Sequence, residues 1–274
     1  MNVQEFGAGS IDVVIAPGGP GLVPEFYREL VDALADRYRV TVVAFSGTHP
    51  EPEDNFPRDI AGAADELEQV VRDRAQANGP TIVLGHSYGG AVAIEALLRD
   101  MPVDGAILMS SFPSGEFLAR EIGRRVAALP ESFHRQLAAG AEDDPEQVAT
   151  LIAEYWFPRH LCTKELPDSF QTGLVQLNPG FMNHVLGPSL LNPSGAILQW
   201  NRERDLGSIA PPVLVMGGPD DYFHPDAVRS VYSALPDARF SFPPGASHSA
   251  WIENPDETMQ AIDGFVEERI INGS

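Results

Sequence analysis

Residues 81–90 constrain this chain more than any other stretch. Four residues suited to a buried strand, Thr81-Ile82-Val83-Leu84, run into Gly85-His86-Ser87-Tyr88-Gly89, and an apolar helix-forming run over 91–98 follows at once. Strand, sharp turn with serine at its apex, helix: this order leaves a serine exposed at the end of a sheet strand. A serine held in the strained backbone of so tight a turn needs neighbours without bulk, and Gly85 and Gly89 supply them. Gly-x-Ser-x-Gly alone also occurs in ordinary turns. The strand before it and the helix after it make Ser87 a candidate nucleophile.

The rest of the chain repeats the alternation. Residues 11–16, 39–45, 105–110, 213–216 and 239–242 read as strands, and helical spacing covers 25–38, 58–78, 226–235 and 256–271. Strands that are continuous apolar runs, separated by helices, indicate an α/β protein: a mostly parallel sheet covered on both faces. Between Ser111 and about Asp205 no strand pattern occurs, prolines interrupt the helical periodicity, and aromatics cluster. This stretch is expected to be a helical insertion over the carboxyl edge of the sheet. The predicted division is a core of residues 1–111 and 206–274 and a helical cap of residues 112–205.

Composition narrows the function classes. The 274 residues carry a net charge of −21, which repels nucleic acid and anionic membrane surfaces. A solubilising surface is the better reading of that charge than attraction of cationic substrates. Cys162 is the only cysteine, so no intrachain disulfide or thiolate metal cluster can form. No apolar run approaches the roughly 20 residues of a membrane span, and the N-terminus lacks the pattern of a signal peptide. The sequence therefore predicts a soluble cytoplasmic protein with no cofactor, a small-molecule or short-peptide substrate, and neither a nucleic-acid nor a membrane partner. It sets no oligomeric state.

A serine hydroxyl needs a base to take its proton, and the base needs a third group to orient it. In an open α/β sheet such groups collect beyond the carboxyl ends of the strands, here in the order serine, acid, histidine. The strand at 213–216 is followed by Gly217-Gly218-Pro219-Asp220-Asp221, and that at 239–242 by Pro243-Pro244-Gly245-Ala246-Ser247-His248. Asp221 is the better candidate acid, since Asp220 beside Pro219 suits a turn, and His248 is the candidate base. His86 is expected to pack beneath Ser87. His49, His134, His160, His184 and His224 suit solvated or core positions, and no metal-ligand spacing occurs. The oxyanion of an acyl-transfer intermediate needs fixed donors. The backbone N–H of Tyr88 is one candidate, and Gly19 in Pro17-Gly18-Gly19-Pro20-Gly21 is the other.

Taken together, these motifs resemble the α/β-hydrolase superfamily and, within it, the proline iminopeptidase branch. Gly18-Gly19-Pro20-Gly21 is similar to that branch's oxyanion motif, with Pro17 in place of its leading histidine. Gly85-His86-Ser87-Tyr88-Gly89-Gly90 resembles its elbow, Gly218-Pro219-Asp220-Asp221 its acid motif, and Gly245-Ala246-Ser247-His248 its histidine loop. The resemblance implies an α/β-hydrolase fold with a helical cap, a Ser87–His248–Asp221 triad, and a substrate near Gly18. Cap aromatics Trp156, Phe157 and Trp200 would wall the site, although each taken alone fits the core of the cap better. It also implies cap glutamates that hold a substrate's free amino group. Leucine stands at 190, where one is sought, which leaves Glu154 and Glu203 as candidates. The region before residue 11 is short for the antiparallel hairpin that usually starts this fold. The expected activity is hydrolysis of a small amide or ester. Release of N-terminal proline, or ligand binding with little turnover, are the alternatives.

Overall fold

A computed structural model describes residues 1–48, 54–75, 79–139 and 144–273. His49 and part of the loop before the second helix lie outside these residues, as do 76–78.

Seven strands form one sheet in the order β1-β3-β2-β4-β5-β6-β7. They are β1 (Asn2–Phe6), β2 (Asp12–Ala16), β3 (Arg39–Ala44), β4 (Thr81–His86), β5 (Gly105–Met109), β6 (Val213–Met216) and β7 (Ala238–Ser241). All neighbouring strands run parallel except β1, which lies antiparallel to β3. β1 has no counterpart among the strands read from sequence. Its side chains are exposed or half-buried, so it carries no hydrophobic signature and is held by its backbone ladder to β3.

β2, β4, β5 and β6 are buried at every residue, as continuous apolar runs require when both faces are covered. Burying each large side chain of β4, such as Ile82 or Leu84, stabilises the fold by about 1.5–3 kcal/mol. Truncating Leu84 to alanine would cost about 2–5 kcal/mol, because the dense core relaxes only partly around the void.

The helices between the first five strands are α1 (Arg28–Ala35), preceded by a 3₁₀ turn at Pro24–Tyr27, then α2 (Ile60–Ala75) and α3 (Tyr88–Leu97). Between β5 and β6 come α4 (Gly115–Ala127), α5 (Glu131–Ala138), α6 (Pro145–Leu151), α7 (Asp168–Val175) and α8 (Pro179–Leu186). α6 continues into wider π turns at Ile152–Leu161 around Pro158, whose missing N–H breaks the regular ladder. α9 (Pro225–Ala234), α10 (Ala250–Glu253) and α11 (Pro255–Phe265) complete the chain, with further π turns at Val266–Ile271.

Register decides where function can sit. Ala16 pairs with Gly85, His86 with Met109, Met109 with Met216, and Met216 with Ser241. The carboxyl ends of five strands therefore align, and the loops after them meet along one edge. The segment between β5 and β6 is tied down over that edge. Asn178 donates its N–H to the Gly21 carbonyl at 3.1 Å and its amide to the Gly47 carbonyl at 2.7 Å. Phe170 of α7 packs on Phe26 with ring centroids 3.8 Å apart.

Candidate active site

Ser87 stands between β4 and α3 with φ 52° and ψ −116°. A positive φ on an L-residue with a side chain costs about 1–3 kcal/mol and persists only where surrounding contacts enforce it. The contacts here are specific. The Ser87 N–H donates to the Met109 carbonyl at 3.0 Å, and the Ser87 carbonyl accepts from Gly90 N–H at 3.0 Å and Ser111 Oγ at 3.1 Å. Gly89 explains the tightness: a Cβ there would lie 2.0 Å from the Ala16 carbonyl oxygen, so the elbow can press against β2 only without one.

His248 follows β7, and its ring Nδ1 lies 2.7 Å from Asp221 Oδ1. The histidine and aspartate side chains are 4% and 0% exposed, so the pair sits outside solvent. A carboxylate only accepts, so Nδ1–H donates and Nε2 is left free to take a proton. Asp221 Oδ1 also accepts the Tyr222 N–H at 2.6 Å, while Oδ2 is buried and makes no hydrogen bond among the described residues. Tyr222 stacks on the His248 ring at 3.9 Å and 11°, which fixes its plane. The His248 N–H donates to the His160 carbonyl at 3.0 Å. Asp220 is different: its side chain is exposed, and its backbone carbonyl meets His160 Nδ1 at 2.8 Å.

Ser87 and His248 open on one cavity, together with Gly18, Gly19 and Tyr88. Gly19 has φ 74°, where glycine carries no penalty. The Gly18 N–H is committed to Tyr27 Oη at 2.6 Å, which leaves Gly19 as the neighbouring donor. Tyr88 opens α3, where backbone N–H groups lack helical acceptors and the helix dipole favours negative charge. Two fixed donors of this kind suit an oxyanion.

The cavity wall is apolar. Leu22, Phe26, Phe157, Leu177, Met182 and Leu190 contribute to it, and besides His86 and His248 no acidic or basic side chain among the described residues does. Of the three aromatics expected at the site, Phe157 is there and the two tryptophans are not. Trp156 is fully buried behind the wall, packed on Tyr222 and His160 with ring centroids at 5.1 and 4.8 Å. Trp200 donates Nε1 to Glu95 Oε2 at 2.9 Å and lines a separate surface groove. Their size and amphipathic rings suit core packing and a buried carboxylate equally well. Glu154 and Glu203 are exposed, and neither lines the cavity.

Several neighbours of the site carried no signal in the sequence. Arg125 donates Nη2 to the Pro219 carbonyl at 2.9 Å and so braces the acid loop. Buried Glu253 accepts from Ser247 Oγ at 2.8 Å and from Thr163 N–H at 2.7 Å, joining the histidine loop to the end of the π turns. Tyr27 reaches His86 Nδ1 at 2.7 Å. Among the described residues no group of three or more His, Cys, Asp or Glu side chains is placed to hold a metal ion, and no helix is long and apolar enough to cross a membrane.

A nearly parallel sheet with a strained serine at the tip of β4 defines the class. The chain belongs to the alpha/beta hydrolase family, whose profile matches residues 13–261, and it is a hydrolase. Its relatives lie in the branch that the motifs resemble. The proline iminopeptidase of Saccharolobus solfataricus is 25% identical, over 94% of this chain and 85% of the relative. That of Elizabethkingia meningoseptica is 26% identical, over 94% of this chain and 90% of its own. The crystal structure of the proline iminopeptidase of Mycobacterium smegmatis superimposes with a TM-score of 0.87 at 24% identity, covering 99% of this chain and 96% of that one.

Proposed function

We propose that this hydrolase is a serine enzyme cleaving ester or amide bonds of small substrates whose acyl group is apolar and uncharged. As Ser87 Oγ adds to the carbonyl carbon, its proton passes to His248 Nε2, and Asp221 holds the imidazolium that forms. The N–H groups of Gly19 and Tyr88 receive the oxyanion. Collapse expels the alcohol or amine, which leaves with the proton from His248. Water then adds to the acyl-Ser87 ester, gives a proton to His248, and releases the acid as that proton returns to Ser87 Oγ. Residues 112–205 serve as a cap on the core of 1–111 and 206–274, and supply Phe157, Met182 and Leu190 to the acyl site.

The observation that carries the substrate class is the uncharged wall around Ser87 and His248. A substrate with a free ammonium group would enter it without a carboxylate partner, at a cost of several kcal/mol. Release of N-terminal proline is the second reading, supported by the similarity to proline iminopeptidases.

A fluorophosphonate probe and four chromogenic substrates test both. The expected results are a stoichiometric adduct on Ser87, turnover of p-nitrophenyl butyrate and hexanoate, and a much lower kcat/KM for prolyl p-nitroanilide than for its N-acetylated form. Preference for the free amine would establish the peptidase reading. Folded protein that forms no Ser87 adduct would remove the serine-nucleophile mechanism from both readings.

A further inference from the structure

His86 and Tyr27 are buried polar side chains that the mechanism above does not use. His86 is 2% exposed and Tyr27 fully buried. His86 Nε2 lies 3.1 Å from the His248 carbonyl oxygen, and His86 Nδ1 lies 2.7 Å from Tyr27 Oη. Tyr27 Oη also receives the Gly18 N–H at 2.6 Å. Trp251 holds the two rings, stacked on Tyr27 at 5.5 Å and edge-on to His86 at 4.9 Å.

The direction of every bond in this path follows from chemistry. A backbone carbonyl can only accept, so His86 Nε2 carries a proton. Burial, with His248 close by, holds the His86 pKa well below its ordinary value, so the ring is neutral and has one N–H. Nδ1 is therefore an acceptor, and Tyr27 Oη–H donates to it. The remaining lone pairs of Tyr27 Oη face the Gly18 N–H. The chain runs Gly18 N–H to Tyr27, Tyr27 O–H to His86, and His86 Nε2–H to the carbonyl of His248, with no group used twice as donor.

Three separate segments are joined by this path: the loop after β2, the last residue of β4, and the loop after β7. Each carries one part of the proposed machinery. With its own N–H directed inward to Tyr27, Gly18 orients the loop so that Gly19 is the donor next to the cavity. At the other end His248 is gripped by both of its peptide groups, the N–H by the His160 carbonyl at 3.0 Å and the carbonyl by His86. Its imidazole then has only to meet Asp221.

We propose that Tyr27 and His86 are positioning residues: one directional hydrogen-bond chain through the Nε2–H tautomer of His86 sets the Gly18–Gly19 loop and the His248 backbone relative to Ser87. The inference rests on the proposed serine-hydrolase reading. Preorganised donors act where charge develops, so a small displacement lowers the rate of the chemical step more than it weakens ground-state binding.

Tyr27→Phe removes a single oxygen and leaves the ring stacking in place. With p-nitrophenyl butyrate the expected result is a kcat about 10- to 100-fold lower per titrated Ser87, with KM within about twofold. His86→Gln, which offers one acceptor and one donor, should keep kcat within about tenfold, while His86→Leu should lose about 100-fold or more. Ring ¹⁵N shifts should place the His86 proton on Nε2 in the wild-type protein and shift the Nδ1 signal in Tyr27→Phe. A proton on Nδ1, or a Tyr27→Phe kcat per active site within twofold of wild type, would overturn the proposal. A loss of kcat equal in His86→Gln and His86→Leu would do the same. If wild-type protein neither turns over nor labels at Ser87, the serine-hydrolase reading fails and the catalytic role falls with it, while the ¹⁵N shifts still report separately whether the hydrogen-bond chain exists.

Discussion

Replacing Asp221 by asparagine isolates the charge of the carboxylate from its geometry. Oδ1 accepts from His248 Nδ1 at 2.7 Å and from Tyr222 N–H at 2.6 Å, and Oδ2 makes no hydrogen bond among the described residues. An asparagine with its oxygen at the Oδ1 position keeps both bonds and places its NH₂ where the acid had no partner. What is lost is the negative charge facing the imidazolium. With charge centres about 4 Å apart and an effective dielectric near 20, that attraction is worth about 4 kcal/mol, or about 10³ in rate. Any population with the amide turned the other way presents N–H to Nδ1 and forces the unproductive tautomer, which extends the expected loss toward 10⁴. Asp220→Asn, at an exposed side chain, should stay within a few-fold of wild type. The assay is steady-state kcat on p-nitrophenyl butyrate, normalised to Ser87 titration, with circular dichroism to check the fold. An Asp221→Asn enzyme within tenfold of wild type, or a larger loss in Asp220→Asn, would refute the assignment.

The elbow stores backbone strain, so function and stability should separate there. Ser87→Gly relieves the φ of 52°, and despite the added chain entropy it should be about 1 kcal/mol more stable than Ser87→Ala. Both should be inactive, and a glycine variant that unfolds at a lower denaturant concentration than the alanine one would contradict the strain argument. Glu95 provides an acid-stability signature. Burial alone would raise its carboxyl, but hydrogen bonds from Arg202, Trp200 and Arg99 outweigh it and bring the pKa to about 2. A depressed folded pKa stabilises fully above the unfolded value near 4.5, and this contribution is lost as pH falls through about 2. The magnitude is about 1–2 kcal/mol, reduced because the Arg99 and Arg202 side chains are 31% and 38% exposed. The stability difference between wild type and Glu95→Gln should therefore shrink between pH 6 and pH 3 in urea titrations. A constant difference would exclude the linkage.

Local pattern made much of this molecule legible. The continuous apolar runs of β2, β4, β5 and β6 mark buried strands, and the turns after them mark where polar residues can stand exposed. The candidates Ser87 and Asp221 were identifiable by their places after two such runs, β4 and β6, and His248 by its place after the partly exposed β7, because strand, break and helix are encoded by neighbours in sequence. β1 was not legible, since an edge strand with exposed side chains leaves no periodic apolar signal. Tertiary structure alone decided the rest. It placed Phe157 and Leu190 on the cavity, put Trp156 behind its wall, and gave Trp200 to Glu95, 105 residues away. It also brought His86 to the carbonyl of His248 across 162 residues and to Tyr27 across 59. No spacing rule spans such separations. Which side chains share a buried site depends on how the aligned strand ends and the helices above them pack, and that is set by the whole core at once.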